Sequence, residues 1–322
     1  MNRKLLALAV TAALAAPMAA QAAPMAAQAA PTVYGQLNLS VDLVNYDDGV
    51  ADYREVQVNS NSSRLGVKGE EALGNGYSAV YKAEWGVSGD GDAADLSQRD
   101  RYLGLKGNWG TVKLGKYDSP LKTSQGKVDQ FNDMEYTDIS NFVTGDNRLN
   151  NVIGYESPKI ADVLNVNVAV QSGESTAVGE DDDGISVSVV FDSNGLYLAA
   201  AMDNDIVDGL IDSTLEDFIG GPLPGEPFAR DAIRLTAGYT MDVLQFGAMI
   251  QTSEFANENN AGFSMDEKSI LLSAAYTMGK NVLKGQYVMS NYDLGGGAEI
   301  DAAALIVGMD HNFSQMTKVY AQ

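Results

Sequence analysis

Two groups of charged residues have the types and the spacing needed to act on ions or polar solutes. Five acids fall within one long polar segment, residues 116–147: Asp118, Asp129, Asp133, Glu135 and Asp138. The bases Arg64, Lys82 and Arg148 lie in segments where polar and apolar residues alternate. Fixed charges along a narrow aqueous gap orient dipolar solutes and attract counter-ions. This chemistry is electrostatic and makes or breaks no bond.

The sequence contains little that would support enzymatic catalysis. His311 is the single histidine, and its alternation with Asp310 and Asn312 places it on the apolar face or in an interfacial belt. A hydrolytic barrel would need a histidine beside a nucleophile or an acid. We find no GxSxG, phosphate-binding loop or GxGxxG segment, and the absence of cysteine excludes disulfides and thiolate metal sites. We therefore predict a protein that is not an enzyme and that has no cofactor or metal site.

The segment YSAVYKAEWG, which begins at Tyr77, alternates strictly between two kinds of side chain. Tyr77, Tyr81 and Trp85 share one face with two alanines, whereas Lys82 and Glu84 occupy the other face. Such alternation predicts a β-strand, because successive side chains leave opposite faces. The same pattern recurs along the chain, for instance in VYGQLNLSVDLV, AIRLTAGYT and VLKGQYVMS.

Short and long connections follow one another between these segments. Turns such as EALGNG, DSNG and MGKN are rich in residues that tolerate positive φ and are typical of β-hairpins. Residues 116–147 are the longest insertion of the first half, and a connection of this length is usually functional. About fourteen strand segments can be counted, so we predict an all-β, antiparallel, up-and-down sheet that closes into a barrel.

The distribution of charge decides which face of this sheet points inward. The same charged residues recur on the polar face of successive segments: Arg64, Lys68, Lys82, Glu84, Arg234 and Lys284. Each would be costly to bury in a dry core, whereas a barrel of this size has a water-filled lumen. We therefore predict a transmembrane β-barrel whose apolar face meets lipid and whose charged face lines water. The alternative is a soluble, secreted β-sandwich with the aromatic face in its core.

The N-terminal residues and the net charge add two constraints. Residues 1–29 combine Arg3 and Lys4 with an apolar run and a cleavage site made of small residues, which is typical of a secretory signal peptide. We expect cleavage after Ala22 or Ala29, with a preference for Ala29, so that residues 30–322 form one barrel domain. The formal net charge of −22 argues against nucleic-acid binding.

Four segments resemble the trimeric general porins of Gram-negative bacteria, particularly β- and γ-proteobacteria. They are APTVYGQLNLSVDL, NSSRLGVKGEEALGNGYSAVYKAEWG, RDRYLGLKGNWGTVKLGKYDSPLK and RLNNVIGYESP, and residues 64–158 are the most specific part. The resemblance implies a sixteen-stranded outer-membrane barrel, a homotrimer, and passive diffusion of ions and small hydrophilic solutes. It also implies that the third external loop, residues 116–147, folds into the lumen and narrows it.

The resemblance and the alternation together predict a pore constriction. The five loop acids are expected to face a basic wall of Arg64, Lys82 and Arg148. The alternation of side chains along their strands places these three bases on the lumen face. Arg99 and Arg101 share the apolar face by simple alternation, but a bulge near the strand end would turn either inward, and we include both in the wall. This separation of charge predicts a transverse field across the pore. The sign of ion selectivity stays open, because the wall favours anions whereas the whole chain is acidic.

Three further expectations concern the chain end, the external loops and the function. Porins of this kind close with a strand that ends in an aromatic residue, whereas this sequence stops at Gln322, so we expect the final strand to be missing and a gap beside the first strand. The acidic runs at residues 179–184 and 203–217 are expected in external loops, where we favour plain solvation; the alternative is that divalent cations bridge them to lipopolysaccharide phosphates. Two other functions stay open: a substrate-selective channel, and a barrel whose acidic loops bind a partner.

Overall fold

The computed structural model describes residues 30–47, 52–91, 96–173, 183–207, 228–257, 264–295 and 297–322. The predicted signal peptide, residues 1–29, lies outside these ranges. Seventeen β-strands are found in the described part of the chain. They are β1 (Thr32–Gln36), β2 (Leu39–Asp47), β3 (Asp52–Ser60), β4 (Arg64–Gly74), β5 (Tyr77–Val87), β6 (Leu96–Gly107), β7 (Gly110–Asp118), β8 (Arg148–Glu156), β9 (Leu164–Gln171), β10 (Gly184–Ser193), β11 (Leu196–Val207), β12 (Phe228–Met241), β13 (Leu244–Asn257), β14 (Ser264–Met278), β15 (Asn281–Asp293), β16 (Glu299–Asn312) and β17 (Lys318–Ala321).

Two short helical elements lie in the loop between β7 and β8, residues 119–147, which we call the β7–β8 loop. The helix α1 (Pro120–Thr123) begins at a proline, and the Ser119 side chain caps it by accepting a hydrogen bond from the Lys122 N–H. A 3₁₀ turn (Ile139–Asn141) is capped in the same way by Asp138. Among the described residues, no helix is long and apolar enough to cross a membrane.

The strands form an antiparallel meander in which chain neighbours pair. Fifteen of them make one sheet in the order β1-β4-β5 and then consecutively to β17, while β2 pairs with β3. β1 pairs with β4, and a hydrogen bond of 2.8 Å from Asn61 N–H to Asn38 O bridges the interruption, so β1 to β4 behave as one long hairpin. This topology is the predicted up-and-down arrangement. β1 and β17 are the two edges of the sheet, with no pairing between them in the residues described.

The polarity of the sheet is inverted relative to a water-soluble barrel, as the sequence predicts. In β12, Ile233 and Leu235 point outward and are 60% and 47% exposed. The intervening and following residues, Arg234 and Thr236, are buried on the inward face. A bilayer supplies the apolar surroundings that such an outward face needs. The alternative of a soluble sandwich is therefore wrong.

The apolar core lies between the β7–β8 loop and one side of the inward face. One cluster joins loop residues to residues of β13, β14 and β15: Val128, Ile139, Val143, Met249, Leu271 and Val288. Each such buried side chain contributes roughly 1.5–3 kcal/mol relative to exposure. The loop is thus packed inside the sheet against β13–β15, and a polar cavity is left on its other side.

Candidate channel constriction

The candidate site is the cavity between the β7–β8 loop and the inward side of strands β4–β8, with a volume of about 960 Å³. Seven bases line it: Arg64, Lys68, Lys82, Arg99, Lys116, Lys122 and Arg148. Six acids line it: Glu84, Asp100, Asp118, Asp133, Asp138 and Asp146. The lining therefore carries one excess positive charge, although the whole chain carries −22.

A β-bulge between β5 and β6 explains why two neighbouring residues of β6 both reach the cavity. The pairing shifts between Ala83 and Trp85, so that Arg99 and Asp100 together oppose the single residue Glu84. A bulge of this kind interrupts the alternation and re-aims side chains. Arg99 lines the cavity, as one of the two predicted orientations allows. Asp100 was missed by the sequence analysis, because alternation alone gives no sign of where a bulge falls.

Arg101 lies on the opposite face of the sheet from the cavity. Its guanidinium carbon is 5.3 Å from the ring centre of Trp85, a cation–π distance, and Arg101 is absent from the cavity lining. This position differs from the predicted place in the basic wall. The reason is that the bulge ends before Arg101, which pairs regularly with Ala83, so simple alternation keeps Arg101 on the outward face with Leu103.

Eight charged side chains form a continuous row of alternating sign along the cavity wall. In spatial order they are Arg99, Glu84, Lys82, Asp100, Arg148, Asp118, Lys122 and Asp146. The successive nitrogen–oxygen distances are 2.6, 3.2, 2.7, 2.5, 3.0, 3.6 and 3.1 Å. Lys82 and Arg148 face the cavity, as their parity predicts, but they share it with acids of the wall itself. The arrangement therefore differs from the predicted basic wall opposite an acidic loop.

Asp118 belongs to this row and not to the loop. It is the last residue of β7, and its Oδ1 atom lies 3.0 Å from Arg148 Nη2. Lys122 in α1 then links the strand end to the loop, since its ammonium lies 3.1 Å from Asp146. Lys122 and Asp146 were not predicted, although both stand in the segment that the sequence marks as a long insertion.

Arg64 and Asp133 connect the wall to the loop at another point of the cavity. The distance from Arg64 Nη1 to Asp133 Oδ2 is 2.8 Å, and the side chains are 23% and 25% exposed. Asp133 has a left-handed backbone with φ of 66°, and its N–H donates to Asp138 Oδ2 at 2.6 Å. This pair has the predicted form of a wall base facing a loop acid.

Asp129 has a different position from the one predicted, because it faces the wall and not the cavity. Its buried carboxylate accepts hydrogen bonds from the N–H groups of Phe131 and Ile139 and from Gln286 Nε2 of β15, at 2.9, 3.1 and 3.0 Å. Burial, followed by the charge of nearby Asp138, raises the pKa of Asp129 to about 7, and these hydrogen bonds oppose that shift. Asp129 therefore fastens the loop to the sheet.

Asp138 and Glu135 have mainly local roles. Asp138 borders the cavity but is buried, and it accepts hydrogen bonds from Ser140 and from the N–H of Asp133. Burial, followed by the charge of Asp146, raises the pKa of Asp138. Glu135 is exposed and does not line the cavity, which differs from its predicted place. Its N–H donates to Asn61 Oδ1 at 2.9 Å and so ties the loop to the β3–β4 junction.

Lys68 and Lys116 are the lining bases that have no ion-pair partner among the described carboxylates. The Lys68 Nζ atom lies 5.0 Å from the ring centre of Tyr34. Lys68 stands four residues after Arg64, so alternation places both on the same face of the strand. Lys116 is among the lining residues, although it pairs directly with the outward-facing Arg101. Simple alternation points Lys116 outward, so the sequence gives no signal for its place in the lining.

The remaining expectations from the sequence concern metals and the external loops. Within the described ranges, no group of three His, Cys, Asp or Glu side chains could hold a metal ion. The acidic runs predicted in external loops lie largely outside these ranges, so lipopolysaccharide bridging stays a prediction. Asp203, assigned to such a loop, is instead a buried residue of β11 that pairs with Arg230.

Fold and site together define the class of this protein. An antiparallel transmembrane sheet with an apolar outward face, a charged inward face and an internally packed loop is a porin-type channel. The family model of the Gram-negative porins matches residues 7–322, and the chain belongs to that family. It is therefore an outer-membrane channel for passive diffusion of ions and small hydrophilic solutes.

Curated relatives and solved structures agree with this assignment. The chain is 28% identical to outer membrane porin protein 32 of Delftia acidovorans, over 99% of this chain and 88% of that protein. It is 25% identical to the major outer membrane protein P.IB of Neisseria gonorrhoeae, over 89% of this chain and 85% of that protein. The anion-selective porin from Comamonas acidovorans shares the fold, with a TM-score of 0.71, 24% identity, and coverage of 90% of this chain and 86% of that chain.

Proposed function

We propose that this porin is a general diffusion channel, narrowed by the β7–β8 loop, with a weak preference for anions. The observation that supports this preference is the charge of the lining, where seven bases face six acids. The eight-residue row is internally paired, so its field falls off quickly with distance. Lys68 and Lys116 lie outside that row and have no described carboxylate partner, so they provide the excess positive charge.

The acidic composition of the whole chain does not oppose this proposal. Charges separated by more than about 8–10 Å of physiological salt solution are largely screened from one another. Acids in external loops therefore influence the channel mouth, whereas the nearest fixed charges govern an ion at the constriction. The Comamonas acidovorans porin that shares the fold is itself described as anion-selective.

The proposal can be tested by the reversal potential across planar bilayers in a KCl gradient. We expect the wild-type protein to favour chloride slightly and the double variant Lys68→Ala/Lys116→Ala to shift toward potassium. Lys159→Ala is the matched control, because Lys159 is exposed and lies outside the cavity lining. A cation-selective wild type, or a double variant that matches the wild type, would reject the anion preference.

The two other functions suggested by the sequence give different results in the same apparatus. A substrate-selective channel would show saturable block by one solute, and a barrel that serves only in adhesion would conduct no current. We expect ohmic steps without saturation, because the paired row leaves few unpaired groups to hold one solute tightly. We expect no catalytic activity.

We also propose that the protein acts as a homotrimer. The outward face of β1–β3 and the residues joining them carry exposed apolar side chains, including Leu37, Val41, Leu43 and Val56 at 67–81% exposure. Such a face is compatible with packing against another subunit within the bilayer. One solved structure of similar fold, OmpT of Vibrio cholerae, is described as a trimer form. Light scattering in detergent should give the mass of three chains, and Leu43→Asp should lower it; a monomeric wild type would reject the proposal.

A further inference from the structure

Arg234 lies behind the β7–β8 loop and does not line the cavity. Its side chain is fully buried on the inward face of β12. A buried guanidinium is tolerated only where its N–H groups find acceptors. Its hydrogen-bond partners therefore indicate its role.

The guanidinium of Arg234 donates to backbone carbonyls near both ends of the loop. Nη1 lies 3.3 Å from the carbonyl oxygen of Leu121, in α1 just after β7. Nη2 lies 3.0 Å from the carbonyl oxygen of Thr144, shortly before β8. The donors of an arginine are held in one rigid plane, so this side chain fixes the separation of the two loop segments and their distance from the wall.

Gln251 and Glu267, on the two strands that follow β12, help to position Arg234 and Thr144 relative to each other. Arg234 Nε donates to Gln251 Oε1 at 2.6 Å, and Gln251 Nε2 donates to the Thr144 carbonyl at 2.9 Å. Glu267 accepts hydrogen bonds from the Thr144 N–H, at 3.3 Å, and from the Thr144 hydroxyl. The three side chains lie on the adjacent strands β12, β13 and β14. Together they form a preorganised socket for the end of the loop.

Other wall side chains hold the loop at single points. The hydroxyl groups of Tyr197, Ser273 and Tyr292 donate to the carbonyls of Ser124, Val128 and Phe142, at 3.0, 2.5 and 2.6 Å respectively. Each contact fixes one place along the loop. Arg234, in contrast, bonds to segments near both ends of the loop.

We propose that Arg234 is a positioning residue that holds the base of the β7–β8 loop against the wall and thereby sets the width of the constriction. The inference rests on the proposed function, in which this loop narrows the channel. Removal of the guanidinium would take one donor from each of the two loop carbonyls and would leave Gln251 Oε1 without its Arg234 donor. The loop would then sample positions further into the cavity and further out of it.

Single-channel recordings of the full-length protein in planar bilayers test this inference. We expect Arg234→Met to raise open-channel noise and to change the conductance step by about 1.5-fold, because the narrowest section governs the current. Arg234→Lys, which cannot donate to both carbonyls from a rigid plane, should give an intermediate value. Gln251→Met removes the supporting partner and should act in the same direction.

The control variant is Lys113→Met. Lys113 is another base on the inward side of the wall, and its contacts are to the strand residues Glu156, Tyr102 and Tyr117. We expect it to keep the wild-type conductance and noise. Circular dichroism and the unfolding temperature show whether each variant retains the barrel, so a loss of fold is not mistaken for a shifted loop.

Deletion of residues 130–137 separates failure of this inference from failure of the proposed function. If the deletion raises conductance but Arg234→Met and Gln251→Met behave as the wild type, the positioning role is rejected and the narrowing loop is retained. If the deletion itself leaves conductance unchanged, the loop does not narrow the channel and both proposals fall.

Discussion

The Nη1 atom of Arg64 lies 2.8 Å from Oδ2 of Asp133, and this ion pair joins strand β4 to the loop that lies inside the sheet. The pair is distinct from the eight-residue row of alternating charges, which runs over β5–β8 and the start and end of the loop. It is also the contact that most directly tests whether the loop acids contribute to selectivity.

Separate removal of the two partners should shift ion selectivity in opposite directions. Asp133→Asn leaves Arg64 unpaired and should move the reversal potential toward chloride, whereas Arg64→Gln leaves Asp133 unpaired and should move it toward potassium. Stability should change by less than about 1 kcal/mol, since both side chains are partly exposed and such pairs contribute little. Identical reversal potentials in both variants and the wild type would show that the pair has no influence on permeating ions.

Removal of the shared acid in the row should increase the preference for anions. Asp100 accepts from both Lys82 and Arg148, at 2.7 and 2.5 Å. Asp100→Asn should therefore shift the reversal potential toward chloride and lower the free energy of unfolding by about 1–3 kcal/mol. Asp162→Asn, at an exposed turn outside the cavity, is the control and should change neither quantity. An unchanged reversal potential for Asp100→Asn would contradict the role assigned to the row.

The buried carboxylate of Asp129 should make the stability of the protein depend on pH. Its pKa is raised to about 7 in the folded protein and is about 3.9 in an unfolded chain. The folded state thus binds the proton more tightly, so the contribution of Asp129 to stability is largest below about pH 4 and declines as the pH rises to about 7. Unfolding temperatures in detergent at pH 5 and pH 8 should differ less for Asp129→Asn than for the wild type. Glu135→Gln, an exposed acid of the same loop, should keep the wild-type difference, and equal behaviour of the two variants would refute this assignment.

A glycine of β7, beside the register shift between β7 and β8, should resist substitution. Gly115 has φ of 140°, and a Cβ atom there would lie 2.1 Å from the carbonyl oxygen of Arg101 in the neighbouring strand. Gly115→Ala should cost about 1–3 kcal/mol through backbone strain, with added displacement of Lys116. In Gly285→Ala the nearest atom would be 4.0 Å away, so this variant should remain close to the wild type. Guanidinium unfolding of both variants measures the difference, and equal midpoints would count against backbone strain at Gly115.

Alternation along the sequence predicted the strands, their inverted polarity and the inward direction of Lys82 and Arg148. These properties follow from local geometry, because successive residues of a strand point to opposite faces and a charged face must meet water. For the same reason, Arg64 and Lys68 could be placed on one face from the sequence alone. The length of the insertion between β7 and β8 marked it as a functional loop before any contact was known.

Contacts between residues distant in the sequence decided the remaining features. The bulge opposite Glu84 turned both Arg99 and Asp100 toward the cavity, and its position depends on how two strands pair. Asp129 faces Gln286 of β15, at a separation of 157 residues, which no local pattern encodes.

The sequence by itself thus determined a porin barrel and the faces of its strands, since these depend on the order of residues within each strand. The tertiary structure alone decided that acids interrupt the basic wall and that Arg234 lies beneath the loop. Strand register and loop packing set these positions. Both depend on contacts between residues far apart in the sequence, so they are determined by the free energy of the whole fold and not by any local pattern.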